Sequence, residues 1–159
     1  MQVRMQISGL MVDPVTNMPI VILKDEDNRH ILPIWVGVFE ANAIALRVEE
    51  IIPPRPMTHD LLHDLLSTLG AEVRRVVISD LRDNTYYATV ERQMGDTKYS
   101  IDARPSDALA LALRADAPVF VEESVLKLAE SGGEHASEAE RLRKWFESLD
   151  PDDFSKYEM

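Results

Sequence analysis

The sequence predicts an α+β fold: one compact single domain with a mixed, largely antiparallel sheet packed by helices, followed by a C-terminal amphipathic helix. Three observations carry this. Residues 3–12 and 19–24 both read as strands and flank a five-residue turn, which makes a hairpin. Residues 72–103 hold three further strand-like runs separated only by short turns, the pattern of an antiparallel meander. Residues 98–121 then read strand, helix, strand, so a helix must cross between two strands. At 159 residues the chain is long enough to bury one core of real size.

In chain order, Asp13-Pro14-Val15-Thr16-Asn17 supplies the first turn and 25–29 a polar loop. Residues 31–36 form a third, largely apolar strand. Gly37 punctuates, and 38–50 reads as a helix in which Ala41, Ala43 and Ala45 allow close packing. Glu40 falls in its first turn, where a carboxylate suits the helix dipole. The prolines at 53, 54 and 56 make a stiff connector. Thr58 is a good N-cap for a helix over 59–69, with Gly70 as its stop. Leu61, Leu62, Leu65, Leu66 and Leu69 form one stripe of that helix, and His59, Asp60, His63 and Asp64 the opposite, polar one. Strands over 72–81 and 85–92 are joined by Arg82-Asp83-Asn84. A strand over 98–103 runs into Pro105, which opens a helix over 105–114 rich in Ala and Leu. That composition allows burial on nearly every face. Residues 119–121 are a strand and 124–130 a short helix. Ser131-Gly132-Gly133 reads as a linker. Ser137 and Glu140 have capping-box spacing ahead of an apolar edge of Leu142, Trp145, Phe146 and Leu149.

Composition narrows the function. The formal net charge is −11, which argues against broad electrostatic attraction to nucleic acid or to an anionic membrane. It leaves open a small basic patch, or carboxylates that approach phosphates through a divalent metal. No apolar run approaches the roughly 20 residues of a membrane span. The opening MQVRMQISG lacks the apolar stretch of a signal peptide, and the chain has no Cys, so the expectation is a cytoplasmic protein without disulfides or thiolate chemistry.

Polar groups gather at one junction. Asp102 and Arg104 share a strand face, and Asp107 lies beside them in the first turn of the next helix. The plain structural reading is that Asp107 complements the helix dipole and Arg104 pairs with Asp102. The functional reading is a chemical site. His59 and His63, at i and i+4, have a spacing that can hold zinc. However, Asp60 is one methylene short of the expected base and no third ligand follows, so zinc hydrolysis is a poor fit and a solvated polar face the default. Arg74 and Arg75 are adjacent in a strand and should point to opposite faces, which makes a poor basic patch.

Five stretches in order are more specific than any one motif: LPIWVG at 32–37, EANAI at 40–44, PRPMTHDLL at 54–62, DLRDNTYYA at 80–88 and IDARPSDA at 101–108. This set resembles the bifunctional nuclease (BFN, DUF151) family over roughly residues 3–130. One departure is Asn84, where the family commonly has Gly; Asn is an adequate turn residue. The resemblance implies residues 1–130 as the nuclease-like domain, with 131–159 as linker, amphipathic helix and acidic tail. It implies hydrolysis of phosphodiester bonds in both DNA and RNA.

The residue roles follow from chemistry. Glu40, Asp60, Asp102 and Asp107 are candidate ligands for Mg²⁺ or Mn²⁺, or candidate bases. Arg55 and Arg104 are candidate phosphate clamps, and His59 a candidate general acid or base. The catalytic set is then His59, Asp60, Asp102, Arg104 and Asp107. Asp60 and His59 should lie near Asp102, Arg104 and Asp107 in space. The alternative is a non-catalytic, oligomeric binding or regulatory module. In either case the helix over 38–50 and the Leu142/Trp145/Phe146/Leu149 edge offer apolar surface for a homo-oligomer.

Overall fold

In the computed structural model the described residues are 1–131 and Lys144. Two antiparallel halves make one seven-stranded sheet. In the first half β1 (Gln2–Val12) pairs with β2 (Pro19–Asp25), and β2 with β3 (Ile31–Trp35). Pro33 sits in β3, an edge strand, where a missing N–H costs little. The second half is the meander of β4 (Glu72–Arg82), β5 (Thr85–Met94) and β6 (Thr97–Ala103). Its β4–β5 turn places Asp83 and Asn84 at φ 49° and 60°, the left-handed pair that a tight hairpin needs.

The halves are joined by the last strand, β7 (Val119–Glu122). It lies between β1, to which it is antiparallel, and β4, to which it is parallel. The strand order is β3-β2-β1-β7-β4-β5-β6. Because β6 and β7 run the same way, a crossover must connect them, and α3 (Pro105–Ala115) supplies it. α3 packs on β4 and β5, and against α1 (Val38–Val48) and α2 (Thr58–Thr68). Ala108, Leu109, Ala110, Leu111 and Ala112 are all buried, as a helix apolar on almost every side requires. α4 (Glu123–Ser131) packs on β4 and β7 through Val125 and Leu126. The capping-box and apolar-edge readings at 137–149, and the linker glycines, lie outside the described residues.

Four local readings change. Met57, not Thr58, occupies the cap position of α2, and the Asp60 carboxylate accepts a hydrogen bond from its N–H at 2.9 Å. The side chain at the third helical position therefore closes that end. Second, α2 is rotated relative to its leucine stripe. His59, Asp60, His63 and Leu66 are half-buried, while Leu61, Leu62, Leu65 and Leu69 are exposed. Third, the alanines of α1 are used within the chain: Ala41, Ala43 and Ile44 are buried, and α1 packs on α3. Fourth, β4 slips register between Val73 and Arg75, leaving Arg74 as an extra residue. Such a bulge breaks the strict alternation of strand faces, so Arg74 and Arg75 line the same groove.

Candidate functional site

The junction of β6 and α3 is where chain reversal leaves side chains unpaired. Pro105 ends β-pairing and opens the helix, so Arg104 becomes the cap residue of α3 with extended backbone. Its guanidinium is split between two carboxylates. Nε donates to Asp107 Oδ2 at 2.9 Å, and Nη1 lies 3.0 Å from Glu40 Oε1 on α1. The other Asp107 oxygen, Oδ1, is 2.8 Å from His59 Nε2 on α2. Four side chains from three helices thus form one chain: Glu40, Arg104, Asp107, His59. The arginine is the open part, 67% exposed, whereas His59 is 13% exposed.

Burial pushes the Asp107 carboxyl up. The hydrogen bonds from His59 and Arg104 and the Arg104 charge outweigh that and hold it below the usual carboxylate value. An ionised Asp107 can only accept, so the Nε2 proton of His59 is engaged with it and Nδ1 is the nitrogen left to exchange a proton. Glu40 has its own constraint. Its carboxylate folds back over Gly37, where any Cβ would strike it. Glycine at 37 thereby lets Glu40 reach Arg104.

A second set lies next to the first. Arg114, in the last turn of α3, is almost fully buried at 3% exposure. Its Nε donates to Asp60 Oδ1 at 2.6 Å, Nη1 to the Ala110 carbonyl at 2.9 Å and Nη2 to the Ala43 carbonyl at 3.1 Å. This charge is paired and hydrogen-bonded, the condition for keeping one inside. It ties α1, α2 and α3 together at one point. Asp60 also lines a cavity of about 200 Å³ with Arg47, Arg55 and Asp64, under the proline connector.

The predicted residues therefore separate. His59, Arg104, Asp107 and Glu40 are brought into contact. Asp60, one residue from His59, turns instead to Arg114. Arg55 lies with Asp60 on the cavity wall. Asp102 is exposed, and no ion pair or hydrogen bond from its side chain is found among the described residues; Arg104 pairs with Asp107 and Glu40 rather than with it. Among the described residues no three His, Asp or Glu side chains form a group that could hold a metal ion. The residue that sequence reasoning passed over is Arg114. Its signal was there: a lone charge in a run of Ala and Leu that has no solvent face to offer it.

The fold is thus an α+β one, a mixed seven-stranded sheet with α3 as its crossover helix. The chain belongs to the bifunctional nuclease domain family, whose model matches residues 21–132. Among its relatives is an uncharacterized protein of Mycobacterium tuberculosis, 38% identical over 160 residues that cover 94% of this chain and 96% of that one. Bifunctional nuclease 2 of Oryza sativa subsp. japonica is 30% identical over 128 residues, covering 78% of this chain and 38% of its own length. Bifunctional nuclease 2 of Arabidopsis thaliana is 29% identical over the same span, again 38% of its length. This chain thus spans well under half of the plant proteins it matches.

Proposed function

We propose that the protein is a nuclease that hydrolyses phosphodiester bonds of DNA and RNA, acting in the cytoplasm. The observation that carries this reading is Arg104, an exposed guanidinium held in place by two carboxylates beside a histidine. Phosphodiester cleavage needs charge stabilisation on the phosphorane-like transition state and a group to carry a proton. Nε and Nη1 of Arg104 are engaged, which leaves Nη2 for a phosphate oxygen, and a fixed fork is better placed than a flexible cation. His59 Nδ1 is the proton carrier, with Asp107 as its positioning residue. Asp102 has no role in this reading. Mg²⁺ or Mn²⁺ is part of it: such ions are often bound by one or two carboxylates plus substrate phosphates, and Glu40 and Asp107 are the pair that would serve, supplying an activated water.

The test is cleavage of single-stranded DNA and RNA with Mg²⁺, with Mn²⁺ and with EDTA. Activity with a divalent cation and none with EDTA is expected. Undiminished activity in EDTA removes the metal, and no activity with either ion removes the nuclease reading. Arg104→Lys keeps the charge and loses the fork. Since Arg104 is largely exposed, the variant should melt within about 1 kcal/mol of wild type while losing most of its cleavage.

A second reading, a non-catalytic oligomeric module, is favoured by one observation. The exposed leucines of α2, Leu61, Leu62, Leu65 and Leu69, are an apolar surface of the kind that partners cover. Homo-oligomerisation through α2 is compatible with either reading.

A further inference from the structure

The sheet has two open edges, and they are not alike. β3 carries Pro33, which has no N–H to offer a further strand. β6, at the other end, has neither proline nor glycine, and its register with β5 is unbroken from Thr97 to Ala103. Every residue from Thr97 to Asp102 is exposed. Two of them carry opposite charges, Lys98 and Asp102, and neither side chain has an ion pair or hydrogen bond among the described residues. They share one face of the strand but stand about 13 Å apart along it, too far to pair with each other.

Hydrogen bonding fixes which residues of this edge can meet a neighbour. The two-residue turn at Gly95 and Asp96 closes on Met94 and Thr97, which exchange both backbone bonds. Tyr99, Ile101 and Ala103, at every second position, spend theirs on β5 as well. Lys98, Ser100 and Asp102 therefore turn their N–H and C=O to the open side. A second β6 adding antiparallel across a twofold axis must set residues of this trio against each other. Centring the axis on Lys98 or on Asp102 opposes like charges. Centring it on Tyr99 or Ile101 gives neither charge a counter-charge. Centring it on Ser100 sets Lys98 opposite the second copy's Asp102, twice over. The same register sets Tyr99 opposite Ile101 at the closer, non-hydrogen-bonded spacing, an aromatic against a β-branched side chain. Both are already half-exposed, and Arg92 holds the Tyr99 ring from 4.3 Å.

We propose that β6 is a self-recognition edge: two copies of this chain join β6 to β6 about a twofold axis at Ser100 and continue one sheet through both. An exposed lysine ordinarily keeps a strand edge from pairing at random. Here the second copy's Asp102 supplies the counter-charge, so the same lysine that discourages other strands favours this one. The axis makes each contact occur twice, as an interface between identical surfaces requires. Asp102, which the Arg104 cluster leaves out, thereby has a role in assembly, and the inference does not depend on the nuclease reading.

The test uses the full chain carrying Leu61→Glu and Leu65→Glu, so that the apolar face of α2 does not contribute, in sedimentation equilibrium from low to high micromolar concentration. A dimer is expected. Lys98→Glu or Asp102→Lys, which set like charges opposite at both pairs, should each weaken it about tenfold. Lys98→Glu and Asp102→Lys together in one chain should restore it. All these positions are exposed, so the variants keep the fold, checked by thermal melting. The chain has no cysteine, so Ser100→Cys adds a single thiol, on the axis, where the paired Cα atoms would be about 5.5 Å apart. A short bis-maleimide should join two Ser100→Cys chains and leave Thr97→Cys chains unjoined, since those thiols would be about 20 Å apart. A monomer in the α2 background with Ser100→Cys unjoined overturns the proposal. A dimer indifferent to both single charge changes overturns it in favour of another surface, and equal joining at positions 97 and 100 overturns the register.

Discussion

Arg104 and Arg114 flank the same helix and do opposite work. Arg104 is largely exposed, with Nε and Nη1 held by Asp107 and Glu40, and these pairs add little to the stability of the fold because water competes for them. Arg114 is buried, and three helices depend on its partners. Removing one partner of a buried pair costs about 3 kcal/mol or more, because the other charge is left uncompensated. Asp60→Asn should therefore lower stability by about 3 kcal/mol at neutral pH, measured by urea unfolding. Burial pushes the Asp60 carboxyl up, but the Met57 N–H and Arg114, helped by the charge of Arg47, hold it below the ordinary 3.8. A depressed native value stabilises above the unfolded one and stops doing so as pH falls through the native one. Wild type should then lose stability below pH about 4 more steeply than the asparagine variant. Parallel profiles would remove Asp60 as the linked group.

Among the elements, the β1–β2 hairpin is closed by a carboxylate. Asp13 is buried; its Oδ1 accepts from the Val15 N–H at 2.9 Å and its Oδ2 from Trp35 Nε1 at 3.0 Å on β3. Asp13→Ala should cost about 1 kcal/mol or more, since two donors lose a buried acceptor at a partly exposed turn, and denaturant melts read it directly. A loss within error of zero would mean water replaces the carboxylate. The leucine stripe of α2 was legible as a stripe but not in its direction. A helix with both an apolar and a polar face is ordinarily turned apolar side in. Here the charge of Arg114 and the carboxylate of Asp107 draw His59 and Asp60 toward α3, and the leucines face out.

For the molecule as a whole, that outward face and the cluster at Arg104 are two surfaces with different chemistry, one apolar and one charged. The apolar one predicts assembly. Light scattering at high micromolar concentration should give a mass above the 18.0 kDa of one chain, and Leu61→Glu with Leu65→Glu should lower that mass. A wild-type monomer would sink this. No described helix is long and apolar enough to cross a membrane.

Periodicity and turn chemistry are local, so the strands, the four described helices, the left-handed hairpin at Asp83 and Asn84, and the strand–helix–strand passage through Pro105 were all readable along the chain. So was the family, from five short stretches spread across it. The place of β7 was not. Nothing in residues 119–122 distinguishes an edge strand from one seated between β1 and β4, because pairing partners are chosen by what the rest of the sheet leaves open. The junction at Arg104 was legible for the same local reason as the turns, since its residues lie within one passage of chain. Its completion by Glu40 and His59, the separation of Asp60 toward Arg114, and the gathering of Arg74 and Arg75 by a bulge all depend on residues brought together by packing. Sequence spacing carries no record of those distances.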